Sequence, residues 1–171
     1  MIKRNIQSFM LPLLLLSPAF TSVASAGDEK GREQKLAEYL SGTQFTGRFT
    51  MDGVDAPPKA ETYTIESCEK LPAPDLYRLK ARIKYGAVDQ TVPLDLKILW
   101  SGNTPVITLD SIWIPGMGTF DARVLIQADK EGGRYAGTWQ HDARGGHLFG
   151  KITKIPPQGT EAAKESEQGN E

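Results

Sequence analysis

From Gln44 onward apolar residues recur at every second position, in short segments separated by turn clusters. This pattern constrains the fold more than any other feature of the chain. In the clearest segment Tyr77, Leu79, Ala81, Ile83 and Tyr85 alternate with Arg78, Lys80, Arg82 and Lys84. That is the signature of a strand with one face on a core and one in water. A first strand starts near Gln44, with Phe45, Gly47, Phe49 and Met51 in phase, and Gly53 to Lys59 breaks the pattern. Thr62 to Lys70 forms the second strand and Tyr77 to Tyr85 the third. The fourth puts Val92, Leu94, Leu96, Ile98 and Trp100 on one face, and Pro93 near its start calls for an edge or a bulge. The fifth, Pro105 to Ile114, is apolar on both faces, with Ile107, Leu109 and Trp113 set against Val106, Ile112 and Ile114. Phe120 to Ile126, Arg134 to Gln140 and His147 to Ile155 complete eight.

The links are too short for helical crossovers, so sequence neighbours pair antiparallel. Eight such strands are expected to close into an up-and-down barrel, because closure removes sticky edges. A two-sheet β-sandwich is the alternative. Before the strands, Asp28 to Leu40 reads as a short amphipathic helix with Leu36, Tyr39 and Leu40 on one stripe and Gly42 just past its end.

The ends define the remaining segments. Lys3 and Arg4, an apolar run through Leu16, and Ala24-Ser25-Ala26 make the three parts of a signal peptide, residues 1–26. The expected plan is then a helical segment over 27–43, a barrel over 44–155 and a charged, disordered tail over 156–171. Export predicts a periplasmic or extracellular location. No later stretch is long and apolar enough for a membrane span. Removing the signal leaves 18 Lys and Arg against 21 acids, a net charge of −3, which argues against nucleic acid as a partner. Oligomeric state is open. Cys68 is the only cysteine, so no intrachain disulfide forms; it is a small strand residue, an intermolecular disulfide partner or a reactive thiol.

The lead-in helix, the run Thr46-Gly47-Arg48-Phe49 and the eight-strand meander over Gln44 to Ile155 resemble the calycin group of lipocalins, avidins and fatty-acid-binding proteins. Thr46-Gly47-Arg48-Phe49 is similar to the G-x-W start of those barrels, with Phe in place of Trp. Trp139 followed by Gly146-His147-Leu148-Phe149-Gly150-Lys151-Ile152 resembles the closing strands of avidin-like proteins. The chain also resembles exported bacterial proteins of uncharacterised role. The calycin resemblance implies a lipocalin-like barrel that holds one small ligand.

Candidate ligand-binding residues are the aromatics Phe49, Trp100, Trp113, Phe120, Tyr135 and Trp139, which either fill the core or line a cavity. Asp110 joins them as a carboxylate in an otherwise apolar strand, either orienting a ligand or paired with Arg123. Glu66 and Asp121 are the other carboxylates considered as acid or base. His141 and His147, with Asp142, are the candidate metal ligands, set against a reading as polar turn residues. The cations Arg78 to Lys84 either line an anion pocket or face solvent. No cofactor motif appears. The leading expectation is a binding protein for a small apolar or amphipathic molecule. The alternatives are an interaction module with a filled barrel, and an enzyme with no recognised catalytic spacing. A cavity of roughly 300 Å³ or more separates the first from the second.

Overall fold

A computed structural model describes residues 26–156. All but Ala26 of the expected signal segment and all but Pro156 of the expected tail lie outside the described residues. Helix α1 (Ala26–Leu40) precedes eight strands: β1 (Thr43–Phe49), β2 (Lys59–Lys70), β3 (Leu76–Tyr85), β4 (Val88–Ser101), β5 (Thr104–Ile114), β6 (Gly118–Ala128), β7 (Gly132–His141) and β8 (Arg144–Lys154). Each strand pairs antiparallel with the next, and β1 pairs with β8, so the sheet is a closed up-and-down barrel rather than a sandwich.

The helix stops one barrel end. Leu36, Ala37 and Leu40 are buried against the interior. Burying each leucine contributes about 2 kcal/mol. Gly42, at φ 66°, turns the chain from α1 into β1, a left-handed conformation that costs glycine little. The Tyr39 hydroxyl donates to the Gly132 carbonyl and ties the helix to the start of β7. The other barrel end, where β1–β2, β3–β4, β5–β6 and β7–β8 connect, carries no such helix.

Two irregularities shape the wall. β4 and β5 pair only over Lys97–Ser101 and Thr104–Thr108. Residues 88–96 of β4, Pro93 among them, pair with β3 alone. Proline lacks the donor that a second partner strand would need. β5 carries an irregularity between Leu109 and Ile112, where Ser111 sits at φ 49° and its N–H donates to Asp121 Oδ1 at 2.9 Å. The extra residue resets the alternation. Ile112 and Ile114 therefore join the apolar interior and Trp113 turns out.

The outer face of β3 and β4 holds the four cations in ion pairs. Arg78 grips Asp95 through two hydrogen bonds of 2.7 Å, and Arg82 grips Asp89 in the same way. Lys80 meets Glu66 at 2.7 Å. They are not lining a pocket. No described helix is long and apolar enough to cross a membrane.

Candidate functional site: the barrel interior

The interior contains two adjoining chambers. The deeper one, about 160 Å³, is lined mainly by apolar side chains such as Ile65, Leu79, Leu94, Ile107, Val124 and Leu148. The outer one, about 280 Å³, opens at the end opposite α1 and adds Lys59, Glu61, His141 and Arg144. Tyr63, Tyr85, Phe120 and Trp139 line both, so they form the collar between them. Phe49 braces this collar. Its ring meets Tyr85 edge-on at 6.0 Å and Trp139 at 5.7 Å.

One polar group is built into this apolar surround. Glu61 is only 3 % exposed. Its Oε2 accepts from the Tyr63 hydroxyl at 2.8 Å and its Oε1 from the Tyr135 hydroxyl at 2.9 Å. Tyr63 lies two residues along β2 and so shares the inner face with Glu61. Tyr135 reaches it from three strands away. Strand register sets Tyr135 beside Gly150, Gly150 beside Gly47, and Gly47 beside Glu61. Three inter-strand gaps span about 14 Å, within the combined reach of a tyrosine, a hydrogen bond and a glutamate. The two glycines leave the wall bare where the ring crosses it. A Cβ on Gly47 would collide with the Tyr135 hydroxyl, and one on Gly150 would stand 2.7 Å from the ring carbon Cε1.

Burial pushes the Glu61 carboxyl above its ordinary range, and the two tyrosine hydroxyls, by bonding the ionised form, pull back against that. Burial and the neighbouring Glu61 charge push both phenols far above their ordinary value. Both tyrosines are therefore fixed as donors at any physiological pH. No Lys, Arg or His among the described residues lies within ion-pair distance of Glu61.

The aromatics singled out in the sequence are divided by this geometry. Phe120 and Trp139 line both chambers, Tyr135 the deeper one and Phe49 the outer one. Trp139 repeats the Tyr135 arrangement: it pairs with Gly146, and its Nε1 donates to the Thr50 carbonyl at 3.1 Å. Trp100 lies toward the closed end, with the Arg32 guanidinium 4.1 Å above its ring, and lines neither chamber. Trp113 is 65 % exposed on the outer surface. Asp110 is also outside, ion-paired with Arg123 on β6, and lines neither chamber.

His141 lies in the outer chamber, stacked on Phe120 at 4.4 Å and 15°. His147 is exposed between the buried Gly146 and Leu148, so it points the other way through the wall. Two side chains on opposite faces cannot close on one ion. Among the described residues no three His, Cys, Asp or Glu side chains gather as a metal site. Cys68 is buried, and burial pushes its thiol up to about 12.

Glu61 and Tyr63 carry no mark in the sequence reading. A signal was present: Glu61, Tyr63 and Ile65 share one phase of β2. A glutamate one residue before the expected strand start reads as a loop charge until its partners are known. Comparison with protein-family models, curated proteins and solved structures gives no match.

Proposed function

We propose that this chain is an exported carrier, periplasmic or extracellular, that holds one small apolar or amphipathic molecule inside the barrel. The observation that carries the reading is the pair of adjoining chambers, one apolar and one with polar groups, which share four aromatic lining residues. Such a graded interior suits a ligand with an apolar body and a polar end. An apolar cavity of about 150 Å³ is enough to take up benzene. The inner chamber, about 160 Å³, is of that size, but neither it nor the outer one, about 280 Å³, reaches by itself the roughly 300 Å³ set as the mark of a carrier; a larger ligand needs both chambers. The closed eight-strand meander is compatible with a calycin-like plan, in which a barrel of this size encloses a single small ligand.

A second reading has its own observation. Leu99, Val106, Leu125, Ala136 and Phe149 are register partners in one row across β4 to β8. Leu99, Leu125 and Phe149 are exposed. An outward apolar row of this kind suits a protein partner.

Native mass spectrometry of protein exported in its own host and purified without detergent separates the two. A reproducible small-molecule adduct is the result expected of a carrier. A clean apo monomer sinks the tight-carrier reading, and a clean apo dimer moves the function to the outer row.

A further inference from the structure

Glu61 is a carboxylate buried among aromatic side chains, and among the described residues no cation lies within ion-pair distance of it. Taking such a charge out of water is costly unless it is paired or hydrogen-bonded. Tyr63 and Tyr135 supply one donor to each oxygen. An ionised carboxylate has about four acceptor positions, so about two remain unused. Glu61 lines the outer chamber together with Phe49, Tyr63, Tyr85, Phe120 and Trp139. Aromatic faces attract cations, most strongly where water is excluded.

At Gly47 and Gly150 an added Cβ would meet the backbone across the β1–β8 seam first and the Tyr135 side chain beside it, so these glycines serve both closure and the Tyr135 crossing. A glutamine at position 61 would accept from one tyrosine and donate to the other without the cost of burying a charge. The presence of a glutamate points to a ligand that supplies the missing positive charge.

We infer that Glu61, held between Tyr63 and Tyr135, is the counter-ion of a protonated primary amine carried on a small apolar body. The ammonium donates to the unused lone pairs of Glu61 within the aromatic outer chamber, and the apolar body passes the collar into the inner chamber. This assignment rests on the carrier reading and names its ligand class. Lys59 and Arg144 on the rim of the same chamber are exposed, and His141 is half-buried there. Solvent screens the two exposed charges. An anion drawn by them would have to face the Glu61 carboxylate within the same chamber.

Three probes of nearly equal shape test the assignment on the full exported chain by isothermal titration calorimetry at neutral pH: phenethylammonium, phenethyl alcohol and hydrocinnamate. The expected ranking puts the ammonium at least about tenfold tighter than the alcohol, with the carboxylate weakest. Glu61→Gln, which keeps an acceptor and the side-chain shape, removes the ammonium preference while the alcohol stays within about threefold of its wild-type affinity. The wild-type ranking needs no variant, so the test survives a misfolded Glu61→Gln. Equal binding of ammonium and alcohol, or tighter binding of hydrocinnamate, overturns the amine assignment and leaves the carrier reading standing. Failure of all three to bind overturns the assignment and counts against the cavity reading as well.

Discussion

Replacing Tyr135 with Phe removes one oxygen and leaves the ring where it lies over Gly150 and Gly47. The ring volume hardly changes, so no cavity opens. What is lost is the 2.9 Å hydrogen bond to Glu61 Oε1. A hydrogen bond to a charged acceptor is worth about 1.5–3 kcal/mol, against about 0.5–1.5 kcal/mol for a neutral one. The cost therefore depends on whether Glu61 is ionised. Its folded carboxyl titrates above the ordinary range. Between its unfolded and folded values the native state holds more protons than the unfolded chain. The Glu61 contribution to stability consequently falls as pH rises through that window. Losing the Tyr135 donor, which favours the ionised form, pushes the carboxyl higher still. Tyr135→Phe should then cost about 1.5–3 kcal/mol at the alkaline end of the protein's stable range, where the carboxyl is ionised, and distinctly less at the acid end. Urea unfolding followed by tryptophan fluorescence at both pH values measures this. Other carboxylates titrate alike in both proteins and cancel in the difference. Tyr77→Phe is the matched control, because the Tyr77 hydroxyl is buried and finds no partner among the described residues. The same atom removed there should be neutral or stabilising. Equal losses at the two positions, or a Tyr135→Phe deficit that ignores pH, would refute the reasoning.

Two further outcomes are expected. Gly47→Ala places its methyl against the backbone of Phe149 and Gly150 as well as Tyr135; overpacking plus the lost hydrogen bond should cost about 3 kcal/mol or more. Gly31→Ala, in open space on α1, should instead stabilise by about 0.5–1 kcal/mol, both read from thermal unfolding. The Cys68 thiol, buried and pushed up to about 12, should resist a disulfide-exchange reagent in the native protein and react promptly once urea unfolds it. Native-state labelling at the rate of a free thiol would show that β2 opens there.

Much of the barrel was legible because alternation is a local signal. Tyr77 to Tyr85 announces its inner and outer faces without reference to any other strand, and the turn clusters announce where each strand ends. The site was less legible. Phe49, Phe120, Tyr135 and Trp139 stood out as large aromatics, and each lines a chamber. Trp113 shares the odd-numbered phase of Ile107 and Leu109, yet the irregularity at Asp110 and Ser111 carries it outside. A one-residue reset exchanges every later inner and outer position, and period alone does not reveal it. His141 and His147 look like neighbours across a short hairpin, but opposite phases send them through opposite faces of the wall.

The order of eight antiparallel strands and the helix before them follow from the sequence itself, because periodicity, turn residues and short links act over a few residues. The carboxylate at the heart of the site does not. Glu61 is separated from Tyr135 by 74 positions, and its surroundings exist only after β1 has closed onto β8. Closure brings Gly47 beside Gly150, and the bare strip they form lets Tyr135 cross to Glu61. Register across the closing seam is a property of the whole barrel, set by the packing of all its strands together. That is why the tertiary structure alone decided which acid was buried.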